Sequence, residues 1–201
     1  MLKAFGGERN INKVRVVEYT AIGTSYQGDS SVSTRTTYRL DLRQRHISAT
    51  SHNGSINLVK AIDGNGAWQE AGGTREPLSP EEKEQLERIF FLNFLAMLQN
   101  QDLRFEYVLT CQYKGHPADV VRVSNPQNPN QSVSLVVSKD NGTVLASTQW
   151  NPEKPDQSIY YADELEYERL NQGVVFPLAY QLFVDGDLAS EGRIVDIRIV
   201  K

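Results

Sequence analysis

The side chains that could carry out chemistry in this 201-residue chain are few and widely spaced. Cys111 and His116 lie five residues apart, a spacing that would suit a thiol nucleophile and its imidazole base. Cys111, however, falls on the apolar face of a predicted strand, where a free cysteine is usually inert, and His116 stands in a turn before Pro117. The sequence therefore predicts no catalytic residue at this pair and no enzymatic activity.

Metal ligands are equally hard to assemble from the sequence. His46, His52 and His116 are too scattered to show the ligand spacing of a zinc site. The segment 185–192 (DGDLASEG) lacks the alternating oxygen ligands of a calcium loop and is better explained as a hairpin turn. Paired carboxylates and a glycine-rich phosphate loop are also missing from the sequence pattern, so we predict neither a metal nor a cofactor.

The composition is that of a folding chain, because hydrophobic residues make up 39% and charged residues 23% of it. The net charge is −4 and no Lys/Arg cluster stands out, which argues against nucleic acid or an anionic membrane surface as the main partner. The single cysteine excludes an intrachain disulfide but decides little about location. No segment approaches the roughly 20 apolar residues of a membrane span.

The first residues lack the charged start and long apolar segment of a secretion signal. Met1 to Phe5 instead has the character of the last turn of a helix, with Gly6 and Gly7 as its stop signal. Because an isolated turn is not a stable helix, we expect the natural chain to begin upstream. On that expectation, the start of this sequence says nothing about location.

Most of the sequence is predicted to form strands joined by short turns. Segments rich in β-branched and aromatic residues carry this prediction, together with hairpin turns at Asn53-Gly54 and Asp140-Asn141-Gly142. In residues 103–113 the alternation places five apolar side chains on one face: Leu103, Phe105, Tyr107, Leu109 and Cys111. No helical pattern separates consecutive strands, so we predict an antiparallel meander within one domain, 1–201.

One helix is predicted over residues 79–99. Ser79 is its N-cap, a proline follows, and Glu82 completes a capping box. The first half is charged, whereas residues 89–98 (IFFLNFLAML) are apolar nearly all round, with Asn93 as the one clearly polar residue. Such a segment must be surrounded by protein, or by protein together with an apolar ligand.

Several short motifs occur in a fixed order along the chain: Gly6-Gly7, Asp63-Gly64-Asn65-Gly66-Ala67-Trp68 at a central hairpin, the helix that follows, Lys114-Gly115 between two strands, a strand–turn–strand unit at 133–148, and Gly173-Val174-Val175-Phe176-Pro177. Together they resemble the outer-membrane lipoprotein carriers of the LolA/LolB superfamily. The resemblance covers nearly the whole chain and implies a mainly β (α+β) fold. The implied architecture is a curved antiparallel sheet of about eleven strands, an incomplete barrel capped by the helix at 79–99.

The same resemblance implies that the apolar space between sheet and helix holds lipid acyl chains in the bacterial periplasm. In the carriers that this chain resembles, an arginine on an early strand helps to hold the helical lid closed. Arg39, Arg43 and Arg45 lie in the corresponding region, and the sequence does not decide which of them, if any, has this role.

The leading hypothesis is therefore a non-enzymatic protein, periplasmic or outer-membrane-associated, that binds lipid or lipidated protein; we expect a monomer. The residues predicted to line the cavity or its lid are Phe90, Phe91, Phe94, Leu95, Met97, Leu98, Phe105, Tyr107, Leu109 and Trp68. Flexible Met97 suits an adaptable apolar surface. Trp68 could instead be a core aromatic that anchors its hairpin.

A second interpretation stays open. The apolar helix could fill the concave face of the sheet as an ordinary core helix, because protein interiors are normally packed without voids. The chain would then be a filled-core interaction or sensor domain of a larger envelope protein. A protein partner would dock on an edge or a loop.

Overall fold

The computed structural model describes residues 1–53, 56–151, 154–161, 166–171 and 173–201. The helices are α1 Glu8–Ile11, α2 Pro80–Leu92 and α3 Phe94–Gln99. The strands are β1 Val16–Gln27, β2 Ser30–Asp41, β3 His46–Asn53, β4 Ile56–Asp63, β5 Gly66–Ala71, β6 Thr74–Pro77, β7 Arg104–Tyr113, β8 His116–Asn125, β9 Asn128–Ser138, β10 Val144–Asn151, β11 Lys154–Tyr161, β12 Tyr167–Arg169, β13 Val175–Pro177, β14 Ala179–Val184 and β15 Asp187–Val200. In the described ranges, no helix has the length and apolarity needed to cross a bilayer.

Thirteen of these strands form one antiparallel sheet, in the order β6-β5-β4-β3-β2-β1-β15-β14-β11-β10-β9-β8-β7. The C-terminal strand β15 pairs with β1 and so joins the two halves of the chain. The order ends at β6 and at β7 without closing, and β12 and β13 pair separately. The predicted fold class, an incomplete antiparallel barrel with helices, is confirmed, with somewhat more strands than expected.

One cluster of buried apolar side chains lies between the inner face of the curved sheet and the helices. Strand β1 shows how the sequence produces it, because Val17 and Tyr19 join the cluster while Glu18 points to the outer face. The most fully buried side chains are Phe5, Ile11, Val14, Val17, Leu40, Leu95, Met97, Val123, Val133, Leu135, Val144 and Val174.

The helix predicted over 79–99 is interrupted at Asn93, which ends α2 and begins α3. Asn93 has an extended backbone (φ −68°, ψ 117°), and its Oδ1 accepts hydrogen bonds from the backbone N–H groups of Leu95 and Ala96, each at 3.2 Å. Because this segment is buried from water, the Asn93 side chain supplies the acceptor that these two N–H groups would otherwise lack. The one polar residue in the apolar run is therefore the point at which the helix breaks.

A β-bulge interrupts the face that the alternation in 103–113 predicts. Tyr107 pairs with Val121, whereas Leu109 pairs with the adjacent Val120, so Val108 is an extra residue in β7. Val120 and Val121 are consecutive in an unbroken strand and point to opposite faces. Leu109 therefore lies on the outer face of the sheet, opposite to Tyr107.

Two predicted hairpin turns have different outcomes. The Asn53-Gly54 turn lies partly outside the described residues, although β3 and β4 on either side of it pair in antiparallel register. The turn at Asp140-Asn141-Gly142 joins β9 to β10, with Gly142 in the left-handed region at φ 75°. That second turn is confirmed.

Candidate functional site: a cavity under the helix pair

A cavity of about 340 Å³ lies between the helix pair α2–α3 and strands β3 and β4. Its apolar floor is formed by Ile47, Ile62, Phe90, Phe91, Ala96, Met97 and Leu103. The volume is at the lower end of the roughly 300–1,000 Å³ that is usual for small-molecule pockets. The space is open to the surface at its rim, while Ile47, Met97 and Leu103 beside it are buried.

Polar side chains surround the mouth of this cavity. Arg45, from the β2–β3 turn, forms an ion pair with Asp102, with 3.6 Å between Nη1 and Oδ2, and Glu87 of α2 lies on the same rim. The other polar side chains are amides from the end of α3 and from the β8–β9 hairpin: Asn100, Asn125, Gln127, Asn128 and Gln131. The site therefore combines an apolar floor with a polar and mostly uncharged rim.

Glu82 fixes the first turn of α2 to the sheet. Its carboxylate accepts the backbone N–H of Ser79 at 3.0 Å, and Ser79 Oγ accepts the N–H of Glu82 at 3.2 Å, which confirms the predicted capping box. The same carboxylate accepts a hydrogen bond from Lys60 Nζ of β4 at 2.7 Å. The bond from Lys60, followed by that from Ser79, lowers the pKa of Glu82 to about 2. The start of α2 is thus anchored, while its last turn covers the cavity.

Three of the helical residues predicted to line the cavity do so: Phe90, Phe91 and Met97. The remaining three pack elsewhere. Leu95 is fully buried in the core, and the ring of Phe94 packs against that of Phe5 with 5.3 Å between centroids. Leu98 also packs against the core cluster. Residues that line the cavity therefore occur on both sides of the break at Asn93, whereas the three that pack elsewhere all follow it.

Phe105, Tyr107 and Leu109 do not form the opposite wall of the cavity. All three lie on β7, the last strand of the sheet, and are 44%, 66% and 46% exposed. Phe105 and Tyr107 remain on the inner face, but among the described strands none lies beyond β7 to cover them. The bulge turns Leu109 to the outer face.

Trp68 anchors the β4–β5 hairpin outside the cavity. Asp63 accepts hydrogen bonds from the backbone N–H of Asn65 at 2.7 Å and from Trp68 Nε1 at 3.1 Å. The first of these bonds, followed by the second, lowers the pKa of Asp63. The Arg75 guanidinium lies over the indole, 3.7 Å from the ring centroid. The Asp-Gly-x-x-x-Trp spacing is explained by this local network.

Of the three arginines considered for the lid, only Arg45 reaches the rim of the cavity. Arg39 lies on the outer face, where Nε is 3.9 Å from the Glu18 carboxylate. Arg43 lies in the β2–β3 turn. Arg45 has a left-handed backbone (φ 57°), which is uncommon for a residue other than glycine, and its ion pair with Asp102 links this turn to the loop after α3.

The residues first considered for catalysis and metal binding are spread over turns and strands. Cys111 is half-buried on β7 opposite Ala118, and His116 begins β8 directly after a two-residue turn at Lys114-Gly115. Both turn residues have positive φ angles, as a tight hairpin requires. Within the described part of the chain, no three His, Cys, Asp or Glu side chains cluster as metal ligands.

Sequence reasoning missed the amide rim and the role of Phe5. The segment 125–131 (NPQNPNQ) is visible in the sequence as a polar turn, but nothing local indicates that it borders a cavity. Phe5 is fully buried, and its contacts, Phe94 and Tyr167, are distant in sequence. Neither signal could be found without the tertiary arrangement.

No protein-family model matches the sequence, and a search of curated protein sequences finds no significant match. Solved structures match in fold. A LolA superfamily protein from Nitrosomonas europaea superposes with a TM-score of 0.68 at 10% identity, over 100% of this chain and 94% of its own. The chain has a LolA-like fold.

Two further structures share this LolA-like fold. A DUF1329 family protein from Desulfovibrio piger has a TM-score of 0.61 at 8% identity, over 95% of this chain and 88% of its own. A domain from Vibrio parahaemolyticus, provisionally assigned to outer membrane lipoprotein sorting, has a TM-score of 0.60 at 9% identity, over 92% and 85%. At these identities the likeness concerns the fold alone.

Proposed function

We propose that this LolA-like protein binds lipid acyl chains in the cavity under α2 and α3, as a non-enzymatic carrier in the bacterial envelope. The observation that carries the proposal is an unfilled space of about 340 Å³ with an apolar floor and a polar rim. Its fold, shared with a domain provisionally assigned to lipoprotein sorting, supports a place in the periplasm or at the outer membrane.

Apolar burial would supply the affinity. Each methylene group removed from water contributes about 0.8 kcal/mol, so a chain that fills the floor could bind without any charged contact. The first turn of α2 is tied to β4 by Glu82 and Lys60, and α3 is fixed by the buried Leu95 and Met97. An acyl chain would therefore enter from the polar rim, where the side chains of Arg45 and Asp102 are about half exposed.

A matched pair of variants tests the proposal. Phe90→Glu places a charge in the floor of the cavity, while Phe105→Glu makes the same change on β7, outside it. We expect Phe90→Glu to weaken binding of a fluorescent fatty acyl probe at least tenfold and Phe105→Glu to leave it unchanged. Thermal melts establish that both variants fold. A folded Phe90→Glu protein with undiminished affinity would show that the probe binds somewhere else.

A second function, docking of a protein partner, is favoured by one specific observation. The two ends of the sheet differ, because β6 is four residues long and ends in Pro77, whereas β7 has ten residues with exposed apolar side chains. Short, charged or proline-containing edges resist strand addition, and long apolar edges invite it. The partner that fits β7 is an extended peptide segment that adds as a fourteenth strand.

Hydrogen exchange of the β7 amides tests this second function. Apolar-rich decapeptides that add to the edge should slow exchange of alternate β7 amides, and a Tyr107→Lys/Leu109→Lys double variant should lose the effect. Equal protection in the double variant would rule out the edge as the docking site. Protection that grows with protein concentration alone would indicate a second copy in place of a partner peptide.

A further inference from the structure

The N-terminal residues 1–14 fill one end of the incomplete barrel. Phe5, Ile11 and Val14 are fully buried within the core cluster. Phe5 contacts Phe94 with 5.3 Å between ring centroids and Tyr167 with 5.7 Å. Aromatic side chains of the protein itself therefore occupy space that a larger ligand would need. The cavity under α2 and α3 lies at the end bordered by β3, β4 and the β8–β9 hairpin.

The cavity is small compared with the hydrocarbon volume of most membrane lipids. At the packing density of protein interiors a methylene group occupies about 27 Å³, so 340 Å³ accommodates about a dozen of them. That is the hydrocarbon of a single medium-length chain. A lipid with two or three long chains would leave most of its hydrocarbon in water, or would have to displace Phe5 and its neighbours from the core.

The polar rim restricts the chemistry of the head group, just as the apolar floor restricts the length of the acyl chain. Of the charged side chains at the mouth, Arg45 is paired with Asp102, and Glu87 is paired with Lys83, whose Nζ lies 3.7 Å from the Glu87 carboxylate. The amide oxygens of Asn100 and Asn128 accept backbone N–H groups of Asp102 and Asn130. A side-chain amide whose oxygen is engaged in this way still has two N–H donors. The described lining of the mouth therefore offers hydrogen-bond donors and no cation that lacks an acidic partner.

From these observations, and resting on the proposed function, we propose that the ligand is a monoacyl amphiphile whose head group is rich in hydrogen-bond acceptors and has no net charge. A glycerol ester of a medium-chain acid has this chemistry. A free fatty acid differs in its carboxylate, for which Arg45 is not available because it is paired with Asp102. A diacyl lipid differs in hydrocarbon volume.

Isothermal titration calorimetry of the delipidated protein with 1-monoacylglycerols, kept below their critical micelle concentrations, tests the chain limit. The affinity should rise about fourfold for each added methylene. It should level off near about twelve carbons, where the cavity is full. An affinity that keeps rising to about sixteen carbons, or equally tight binding of dilauroyl phosphatidylcholine, would overturn the single-chain inference while leaving acyl-chain binding intact. Absence of binding by every amphiphile would overturn the proposed function itself.

The head-group part is tested by comparing dodecanoate with monododecanoylglycerol at low ionic strength. We expect dodecanoate to bind at least fivefold more weakly, because its carboxylate would lose water at the rim without gaining an unpaired cation. The ratio of the two dissociation constants should move toward one in Glu87→Gln and in Asp102→Asn, since each change removes a negative charge from the mouth. Equal affinity of the two probes for the unaltered protein, or a ratio that neither variant changes, would overturn this part.

Discussion

Replacement of Asn93 by alanine is predicted to be a costly change in the helix pair that covers the cavity. The Asn93 side chain accepts two backbone hydrogen bonds at 3.2 Å, both in a buried segment. Loss of an N-cap costs about 1 kcal/mol, and a buried donor without a partner costs about 1–3 kcal/mol. The free energy of unfolding should therefore fall by about 3 kcal/mol, a large share of the roughly 5–15 kcal/mol that is usual for a folded protein.

Urea unfolding followed by tryptophan fluorescence measures this loss, with two variants for comparison. Asn93→Ser keeps a short oxygen acceptor and should retain most of the stability, because serine caps helices about as well as asparagine. Ser79→Ala removes the cap at the start of α2, which is only partly buried and where water can replace the bond. It should cost about 1 kcal/mol.

Asn93→Leu is the variant that could refute the reasoning. It restores an uninterrupted apolar run from 89 to 98 and would favour one continuous helix if the break were incidental. We expect it to destabilise the protein, because it removes the cap and disrupts the packing of both Phe94 and Met97. A stabilised Asn93→Leu protein, or a loss below about 0.5 kcal/mol in Asn93→Ala, would show that the cap does not determine the break.

Three further predictions concern the anchor of α2, a close contact in the sheet and the filled end of the barrel. The pKa of Glu82 is lowered from an ordinary 4.5 to about 2, so its carboxylate stabilises the fold above pH 4.5 and this stabilisation is lost as the pH falls toward 2. In unfolding experiments at a series of pH values, Glu82→Gln should reduce this acid-dependent loss of stability. Gly192→Ala should cost about 1–3 kcal/mol in urea unfolding, because its Cβ would overlap the ring of Tyr180. Phe5→Ala should cost about 3–5 kcal/mol in the same assay and allow longer acyl chains to bind.

Each of these three has its own control. An unchanged acid profile in Glu82→Gln would contradict the anchor. Gly64→Ala, where the nearest atom belongs to the His46 ring at 3.9 Å, should be tolerated, and Tyr180→Leu should relieve Gly192→Ala. Phe5→Leu keeps most of the apolar volume, and a loss as large as that of Phe5→Ala would show that the aromatic contacts matter more than the filled space.

The sequence predicted local features well and long-range ones poorly. The cap at Ser79 and the turn at Asp140-Asn141-Gly142 depend on neighbouring residues, so their chemistry is visible in the chain. The break at Asn93 was not predicted, because an asparagine within an apolar run becomes a cap only when its surroundings exclude water. The bulge at Val108 was not predicted either, since the alternation of side chains continues through it in the sequence.

Prediction of the cavity shows the same difference between local and long-range features. The run at 89–98 indicates an apolar surface, but it does not indicate which residues face open space and which face protein. Phe94, for example, packs against Phe5, which is distant in sequence. Since packing partners of this kind come from anywhere in the chain, only three of the six predicted helical residues line the cavity, although all six belong to the core cluster or pack against it.

Native mass spectrometry of freshly purified protein, with organic extraction of whatever copurifies, tests the central claim most directly. We predict a bound mass that corresponds to one lipid molecule per chain, or stoichiometric uptake of added monododecanoylglycerol by protein that arrives empty. The adduct should be lost in Phe90→Glu and kept in Phe105→Glu. An unliganded mass that stays unchanged after incubation with the amphiphile would contradict the claim that the space under α2 and α3 is a lipid site.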